Sequence, residues 1–439
     1  MSRGSRIALL AAAAVVLAAT PAAGAALEAV AAPLESLYPE LERTYQELHR
    51  TPELSSREQA TARKMAERLR ALGFEVTTGV GGTGVVGLLR NGTGPTVMLR
   101  TDLDALPVEE KTGLAFASRV VAKNEEGESV PVMHACGHDL HMTCWLGTAT
   151  LLARAKDRWR GTLMMVGQPA EETGSGARRM LGDGLFTRFP RPDFAIAVHD
   201  NADLPAGQLS YTPGFALAAV DSVDITVFGV GGHGAYPHTT IDPVVIASRI
   251  VLSLQTIVSR ENNPLDPAVV TVGSIHGGTK HNIIPDEVKL QLTVRSYKPE
   301  VREKILAAIS RIARAEAEAA GAPRGPAVTV RDSTPATYND PELTVRVAEA
   351  LRRALGDASV HEQPPVMGAE DFSEYARAGV PSVLFWVGAV EPERFRGAAA
   401  RGERLPSLHS SSFAPDPPRA IRTGVLAETA TLLELLGRP

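Results

Sequence analysis

The sequence contains little cysteine, and what it contains cannot form a disulfide framework. Only Cys136 and Cys144 occur among the 439 residues, whereas small exported domains without a large core usually carry several disulfide bonds. A chain of this length with 44% hydrophobic residues can bury a large core without them, and its length predicts two or three domains. The two cysteines are therefore expected to serve chemistry or packing.

Long apolar runs and an excess of positive charge are also missing. Beyond the N-terminus, no apolar segment approaches the roughly 20 residues that a membrane-spanning helix needs, so we expect no stable membrane span in the mature protein. The formal net charge is −5, and it becomes −7 when residues 1–25, with two arginines and no acidic residue, are removed. This charge excludes nucleic acid as an expected partner.

Two common groups of catalytic motif are absent as well. The glycine-rich stretches Gly79–Gly84 and Asn91–Gly94 lack the Lys-Ser/Thr pair of a phosphate-binding loop and the strand-to-helix context of a dinucleotide fingerprint. We interpret both as turns. No G-x-S-x-G elbow is present, so nothing supports a serine nucleophile.

The N-terminus has the pattern of a secretory signal peptide. Arg3 and Arg6 precede the apolar run Ile7–Ala19, and Ala23-Gly24-Ala25 matches a small-x-small cleavage site. We predict cleavage after residue 25 and an exported protein, either periplasmic or secreted.

The next part of the chain alternates apolar strands with helices. Leu34–His49 and Ser56–Leu72 have helical spacing, and Trp145–Ala155 is a helical connection. Such alternation predicts an α/β fold with a mostly parallel sheet covered by helices on both faces. The predicted strands are Val85–Leu89, Thr96–Leu99, Leu163–Val166 and Phe194–Val198.

Residues typical of metal sites follow three of these strands. The segment Thr101–Asp104 contains a D-x-D pattern, the acidic pair Glu171-Glu172 follows Gln168-Pro169-Ala170, and His199 ends a third strand. Because ligands of such sheets gather at the carboxyl ends of the strands, these side chains are expected to lie together.

From Ser222 the pattern changes to strand-helix-strand-strand-helix-strand, which is the ferredoxin-like order. We interpret residues 219–331 as an inserted domain, and residues 26–218 with 332–439 as the catalytic domain. The predicted elements of the insert are Val223–Phe228, Pro243–Val258, Ala268–Ile275, Val288–Val294, Val301–Ala320 and Ala327–Val330.

The stretch Met133–His141, MHACGHDLH, concentrates one cysteine, three histidines and one aspartate in nine residues. Cys136 and His138 are two residues apart, so in an extended segment their side chains would leave the same face and could bind one ion. Thiolate with imidazole favours zinc first, with manganese, cobalt or nickel as alternatives.

Nine motifs follow one another along the chain, over about residues 40–415: LHRTPELSSRE, LRTDLDALP, MHACGHDLH, QPAEE, GGHGAYPH, LQTIVSR, NIIP, MGAEDF and LHS. Taken together, they resemble the motifs of the zinc-dependent amidohydrolase family that includes hippurate hydrolases, N-acyl-amino-acid amidohydrolases and auxin-conjugate hydrolases.

The resemblance implies a dinuclear metal site and a lid domain that forms a homodimer. It implies Glu171 as general base, Asp104 as a residue that orients a ligand, and His233 as a substrate contact that serves the partner subunit's site. Asn282 and Arg295 would be candidates for the substrate carboxylate. The implied metal ligands are Cys136, His138, Glu172, His199 and His409.

The resemblance also has departures: Thr101 stands where the family usually has alanine, and the run after His199, Asp200–Asp203, is unusually acidic. These differences leave the acyl group open. We therefore expect a metal-dependent amidohydrolase of N-acyl amino acids that uses a metal-activated water. A carboxypeptidase or dipeptidase on the same site, or a non-catalytic binding protein that retains the fold, are the alternatives.

Overall fold

The computed structural model describes residues 21–438. The predicted signal peptide, residues 1–25, therefore lies outside the described residues except for its last five, which begin the first helix.

The described chain alternates helices and strands through most of its length. The helices are α1 Pro21–Ala31, α2 Leu34–Arg50, α3 Gln59–Ala71, α4 His138–Arg154, α5 Gly176–Gly182, α6 Pro243–Thr256, α7 Pro299–Ala319, α8 Pro341–Leu355, α9 Ser373–Arg377, α10 Pro392–Arg401 and α11 Pro417–Leu435. The strands are β1 Glu75–Val80, β2 Gly84–Asn91, β3 Thr96–Asp102, β4 Val121–Lys123, β5 Ser129–Pro131, β6 Gly161–Gln168, β7 Phe194–Pro205, β8 Leu209–Tyr211, β9 Gly214–Leu217, β10 Ala219–Phe228, β11 Gly232–His233, β12 Ala268–His276, β13 Ile283–Ile284, β14 Glu287–Ser296, β15 Ala327–Thr334, β16 Thr337–Asn339, β17 Val360–Glu362 and β18 Ser382–Val390.

The largest sheet has the strand order β1-β2-β6-β3-β7-β18-β8-β17. Its centre, β6-β3-β7-β18, is parallel, and antiparallel strands are added towards both edges. Alternate side chains of β3 enter different cores: Val97 and Leu99 pack on one face, and Met98 packs on the other. Both faces are therefore buried, which confirms the predicted α/β class.

The inserted segment forms its own four-stranded sheet in the order β12-β14-β10-β15, with every pair antiparallel. Helices α6 and α7 cover one face, and their buried residues form a separate apolar core with the sheet. This is the ferredoxin-like arrangement predicted from the sequence. The sheet extends from Ala219 to Thr334, three residues beyond the predicted C-terminal boundary.

Helix α6 and the π-helical turn that continues it to Glu261 are long and apolar enough to cross a membrane by length and composition alone. The buried side of α6, which includes Ile246, Ile250 and Leu254, packs in the core of the insert. Val244, Val245 and Leu252 on its other side are exposed. We therefore interpret α6 as a surface helix of the insert with an apolar outer side.

Two local expectations were wrong. The segment that contains Cys136 and His138 is a turn and the start of α4, not an extended segment, because α4 begins at His138 rather than near Trp145. Strand β7 does not end at His199 but continues to Pro205, since β18 pairs with it past that histidine.

Candidate metal centre and active site

A cleft of about 810 Å³ lies between the large sheet and the insert. Glu171, Glu172 and His199 line it from the sheet side, while Ser222 and Arg295 line it from the insert. The cleft therefore meets the carboxyl ends of the parallel strands, where ligands of α/β sheets bind.

The structure brings the five predicted metal ligands together: four of them line this cleft, and His138 lies buried beside them. The Cys136 Sγ atom lies 3.5 Å from His199 Nε2 and 3.2 Å from His409 Nε2. Glu172 completes the group, because its carboxylate oxygens lie 3.8 Å from His138 Nε2 and 3.5 Å from His409 Nε2. Five donor atoms from four separate segments thus form one connected group.

Hydrogen bonds fix the orientation of two of these histidines. His138 Nδ1 lies 2.8 Å from the backbone oxygen of Asp104, and His199 Nδ1 lies 2.8 Å from that of Asp200. A carbonyl oxygen only accepts, so each Nδ1 carries the proton and each Nε2 presents its lone pair to the group.

Asp104, the predicted orienting residue, also makes contacts other than the one with His138. Its carboxylate accepts from the Ser55 hydroxyl at 2.6 Å and from the Glu172 backbone N–H at 3.0 Å. Asp104 therefore contacts the segments that carry two of the donors.

The turn before α4 depends on Gly137. This residue has φ of +71°, and a Cβ atom there would lie 2.3 Å from the Asp200 Oδ2 atom. Glycine alone meets both conditions without strain. It lets Cys136 and His138 point into the same group from either side of a tight turn.

The donor set fits a divalent metal. His138 Nε2 and Glu172 Oε1 are buried and have no hydrogen-bond partner in the described protein. Burial raises the pKa of the Cys136 thiol well above its usual value, and it raises the pKa of Glu172 to about 7. Thiolate and carboxylate in such a place need a nearby positive charge, and a thiolate, imidazoles and a carboxylate are suitable ligands for one or two divalent ions.

A second donor group overlaps the first and was not assigned from the sequence. Asp102 and His141 lie with His138 and His199, all four donor atoms being within 4.8 Å of one another. Asp102 Oδ1 lies 2.9 Å from His141 Nδ1, and buried Arg100 donates to Asp102 Oδ2 at 2.8 Å. The D-x-D pattern and the third histidine of MHACGHDLH were the available signals.

Another buried histidine, His49, bonds to Asp139, the residue that follows His138 at the start of α4. His49 Nδ1 lies 2.6 Å from Asp139 Oδ2, and its Nε2 lies 3.0 Å from Glu110 Oε1. Burial opposes protonation, but the hydrogen bonds with the two carboxylates prevail and raise the pKa of His49 to about 10. An imidazolium that bridges two carboxylates fixes the residue next to His138.

Glu171 diverges from its neighbour Glu172, as adjacent side chains were expected to do. Its carboxylate lies with those of Glu370 and Asp371, within 4.8 Å of one another. The pKa of Glu171 is raised well above its usual value, mainly by burial and next by the negative charge of Glu370. Arg100 donates to Glu370 Oε1 at 2.8 Å and lies 3.2 Å from Asp371 Oδ1, so it offsets part of this negative charge.

The three predicted substrate contacts fall in two places. Arg295 lines the cleft and is half-buried, with its Nη1 donating to the Met367 carbonyl at 3.3 Å; burial lowers its pKa, and no carboxylate raises it. His233 on β11 and Asn282, which directly precedes β13, instead lie together on the exposed surface of the insert, where the Gly234 N–H donates to the Asn282 carbonyl. Neither lines the cleft of this chain.

Three non-glycine residues in the described chain have a left-handed backbone, and all lie at this site. They are Ser56, which lines the cleft, Ala170, which precedes Glu171, and His409 with φ of +64°. Each such residue costs about 1–3 kcal/mol, and such strain concentrates at functional sites.

A largely buried group of thiol, imidazole and carboxylate donors, with His409 on its exposed side, lies beside a separate buried glutamate. This arrangement defines a metallohydrolase type of site. The comparison with protein families agrees with this class: residues 98–406 match the model of peptidase family M20/M25/M40. The chain belongs to this family, and it is a hydrolase of amide bonds. This confirms the resemblance noted from the motifs and disfavours a non-catalytic binding protein.

The relatives carry several related activities in their names. Thermostable carboxypeptidase 2 of Saccharolobus solfataricus is 38% identical over 86% of this chain and 90% of its own length. N-acetyl-L-cysteine deacetylase of Bacillus subtilis is 36% identical over 74% of each chain. The solved YXEP protein of B. subtilis, described as a dinuclear metal binding peptidase, has a TM-score of 0.73 and 28% identity, over 92% of this chain and all of its own.

Proposed function

We propose that this protein is an exported, dinuclear-metal amidohydrolase that releases an amino acid from an N-acyl amino acid. The observation that supports the proposal most directly is that four of the five donor residues line one cleft with Glu171 and the cation Arg295, while the fifth, His138, lies buried beside Glu172. One group can bind metal, one can move a proton, and one can bind a carboxylate.

Cys136, His138, Glu172, His199 and His409 would hold two divalent ions, with zinc or manganese as the first candidates and cobalt or nickel as alternatives. Asp102 and His141 adjoin the same group. Such ions, when bound, polarise a substrate carbonyl and lower the pKa of a coordinated water towards neutrality.

Glu171 serves as the general base and then as the general acid. It accepts a proton from the attacking water and returns it to the nitrogen of the departing amine, an effect of about 10²- to 10⁴-fold on rate. Burial and the neighbouring Glu370 raise its pKa, and carboxyl groups with shifted pKa values are concentrated at catalytic sites. Glu370 and Asp371, each bonded to Arg100, lie next to its carboxylate.

Arg295 binds the carboxylate of the amino-acid part. It offers guanidinium N–H groups to the cleft, and a guanidinium matches the planar geometry of a carboxylate. Asn282 lies beside His233, away from the cleft of its own chain. It would therefore assist at the substrate carboxylate only in the cleft of a partner subunit.

His233 would act in the site of a partner subunit of a homodimer. Two observations favour this arrangement: His233 is exposed and away from its own cleft, and most of the large exposed apolar residues belong to the insert. They include Val244, Val245 and Leu252 on α6 and Ile275 on the edge strand β12. An unpaired strand edge beside an apolar helix side is suited to two-fold pairing.

A carboxypeptidase or dipeptidase remains the second candidate, because the carboxypeptidase of S. solfataricus is among the relatives. A turnover screen tests both. N-acetyl and N-benzoyl amino acids would be compared with dipeptides having the same C-terminal residue, each with zinc, manganese, cobalt or nickel. Faster cleavage of the N-acyl series supports the proposal, whereas a requirement for a free amine contradicts it; the Glu171→Gln variant is the inactive control.

A further inference from the structure

A second cavity opens from the cleft at the metal-ligand group. It has a volume of about 270 Å³ and shares Cys136, His199 and His409 with the main cleft. Most of its surface is apolar, although Asn201 and Gln363 also line it. The large apolar side chains are Leu217, Val366, Leu384, Trp386 and Leu408. We name the cavity formed by these five residues the acyl pocket. Any substrate whose scissile amide reaches the shared residues must place one of its two parts next to it.

One wall of the acyl pocket belongs to the large sheet. Leu384 and Trp386 lie two residues apart on β18 and so share a face, and Trp386 pairs with His199 of the neighbouring β7. Leu217 is joined to Val366 by a β-bridge. Leu384 and Trp386 are buried, so this wall is pre-formed, and its distance from His199 is set by the strand spacing.

Charges distinguish the acyl pocket from the rest of the cleft. The main cleft contains two arginines, Arg179 and Arg295, among its carboxylates, whereas no lysine or arginine lines the acyl pocket. Glu370 lines both spaces, and Asp203 lines only the acyl pocket. A substrate carboxylate is therefore attracted to the side of Arg295 and repelled from the acyl pocket. This fixes the direction in which a substrate lies across the donor group.

We infer that the five-residue pocket selects the acyl group of the substrate and prefers a neutral aromatic or medium-length aliphatic acyl group. This inference rests on the proposed function and adds its substrate class. A closed apolar cavity of about 150 Å³ can hold a benzene molecule, so 270 Å³ accommodates a ring with its carbonyl carbon or an unbranched chain of similar bulk. Acetyl groups would fill it poorly, and succinyl groups would place an anion beside Asp203.

The test measures kcat/KM for N-acetyl, N-benzoyl and N-succinyl derivatives of one amino acid with the metal-loaded enzyme. The wild-type enzyme should prefer benzoyl over acetyl by at least ~10-fold, the range reported for small differences of apolar contact, and should act least on succinyl. Val366→Phe, at a partly exposed wall residue, should reduce the benzoyl-to-acetyl ratio at least ~10-fold. Val345→Phe, at an exposed valine of α8 outside the pocket, should leave the ratio unchanged.

A ratio of two substrates does not depend on the fraction of active protein, so partial misfolding cannot imitate the effect. Asp203→Lys, at an exposed rim position, should raise the succinyl-to-acetyl ratio by ~2- to 5-fold, the range of an exposed ion pair. Acetyl turnover without a benzoyl preference, or an unchanged ratio in Val366→Phe, would overturn the pocket assignment alone. Failure of the wild-type enzyme on every N-acyl amino acid would overturn the proposed function itself.

Discussion

Replacing Gly137 by alanine should damage both the fold and the metal site. The positive φ of Gly137 costs an alanine about 1–2 kcal/mol. The new Cβ would lie 2.3 Å from Asp200 Oδ2, about 1 Å inside the range of ordinary contact. That carboxylate cannot move freely, because His141 bonds to it, so relief of the clash adds about 1–3 kcal/mol. The expected loss of unfolding free energy is about 2–5 kcal/mol.

Metal affinity should fall as well, by about 10- to 100-fold, the effect of disturbing residues that orient ligands. Gly137 lies between Cys136 and His138, and the Asp200 carbonyl accepts from His199. A shift of the turn or of Asp200 therefore moves three donors at once.

Alanine substitutions at two other glycines separate the cost of the positive φ from the cost of the steric clash. Gly73 also has positive φ but open space around its Cβ position, so Gly73→Ala should lose only about 1–2 kcal/mol. Gly182 has neither constraint, and Gly182→Ala should be neutral or gain up to about 1 kcal/mol. Urea unfolding and competition with a chromophoric zinc chelator measure the two effects. Equal stability of the Gly137 and Gly73 variants, with unchanged metal affinity in both, would refute the reasoning.

Three further comparisons test the assigned roles. Cys136→Ser should lower metal content and activity, whereas Cys144→Ser, inside α4 against α11, should keep its metal and lose only about 1 kcal/mol of stability; equal metal content by mass spectrometry would contradict the assignment. Glu171→Gln should keep the metals and lose about 10²- to 10⁴-fold in kcat, while Glu172→Gln should also lose metal, and the reverse pattern would exchange the two roles. Mixed dimers of inactive His233→Ala and inactive Glu171→Gln subunits should regain activity, because one hybrid site carries both intact residues. Verified mixed dimers without activity, or an active monomer, would show that His233 acts only within its own chain.

Periodicity predicted the fold well because long apolar repeats record which side of an element is buried. The strands Thr96–Leu99 and Leu163–Val166 lie inside β3 and β6, and the insert has the predicted order of elements. The boundaries were less accurate at α4, since Cys136, Gly137 and His138 belong to a turn whose geometry depends on contact with Asp200. Asp200 is 63 residues away in sequence, and no local pattern reports such a contact.

The metal-donor residues could be predicted from their residue types, but the residues that bond to them and hold them in place could not. Arg100 illustrates the reason: in sequence it is one arginine in an apolar strand, where a charged residue would ordinarily be unfavourable. In the fold it is buried and bonds to Asp102, two residues along the same strand, and to Glu370 and Asp371, which come from one distant segment. Burial of the arginine is tolerated because three carboxylates compensate its charge, and burial of the carboxylates is tolerated because of the arginine. Removing Arg100 alone would leave Glu370 and Asp371 uncompensated beside Glu171, so the charge around the proposed general base depends on a residue that does not itself line the cleft.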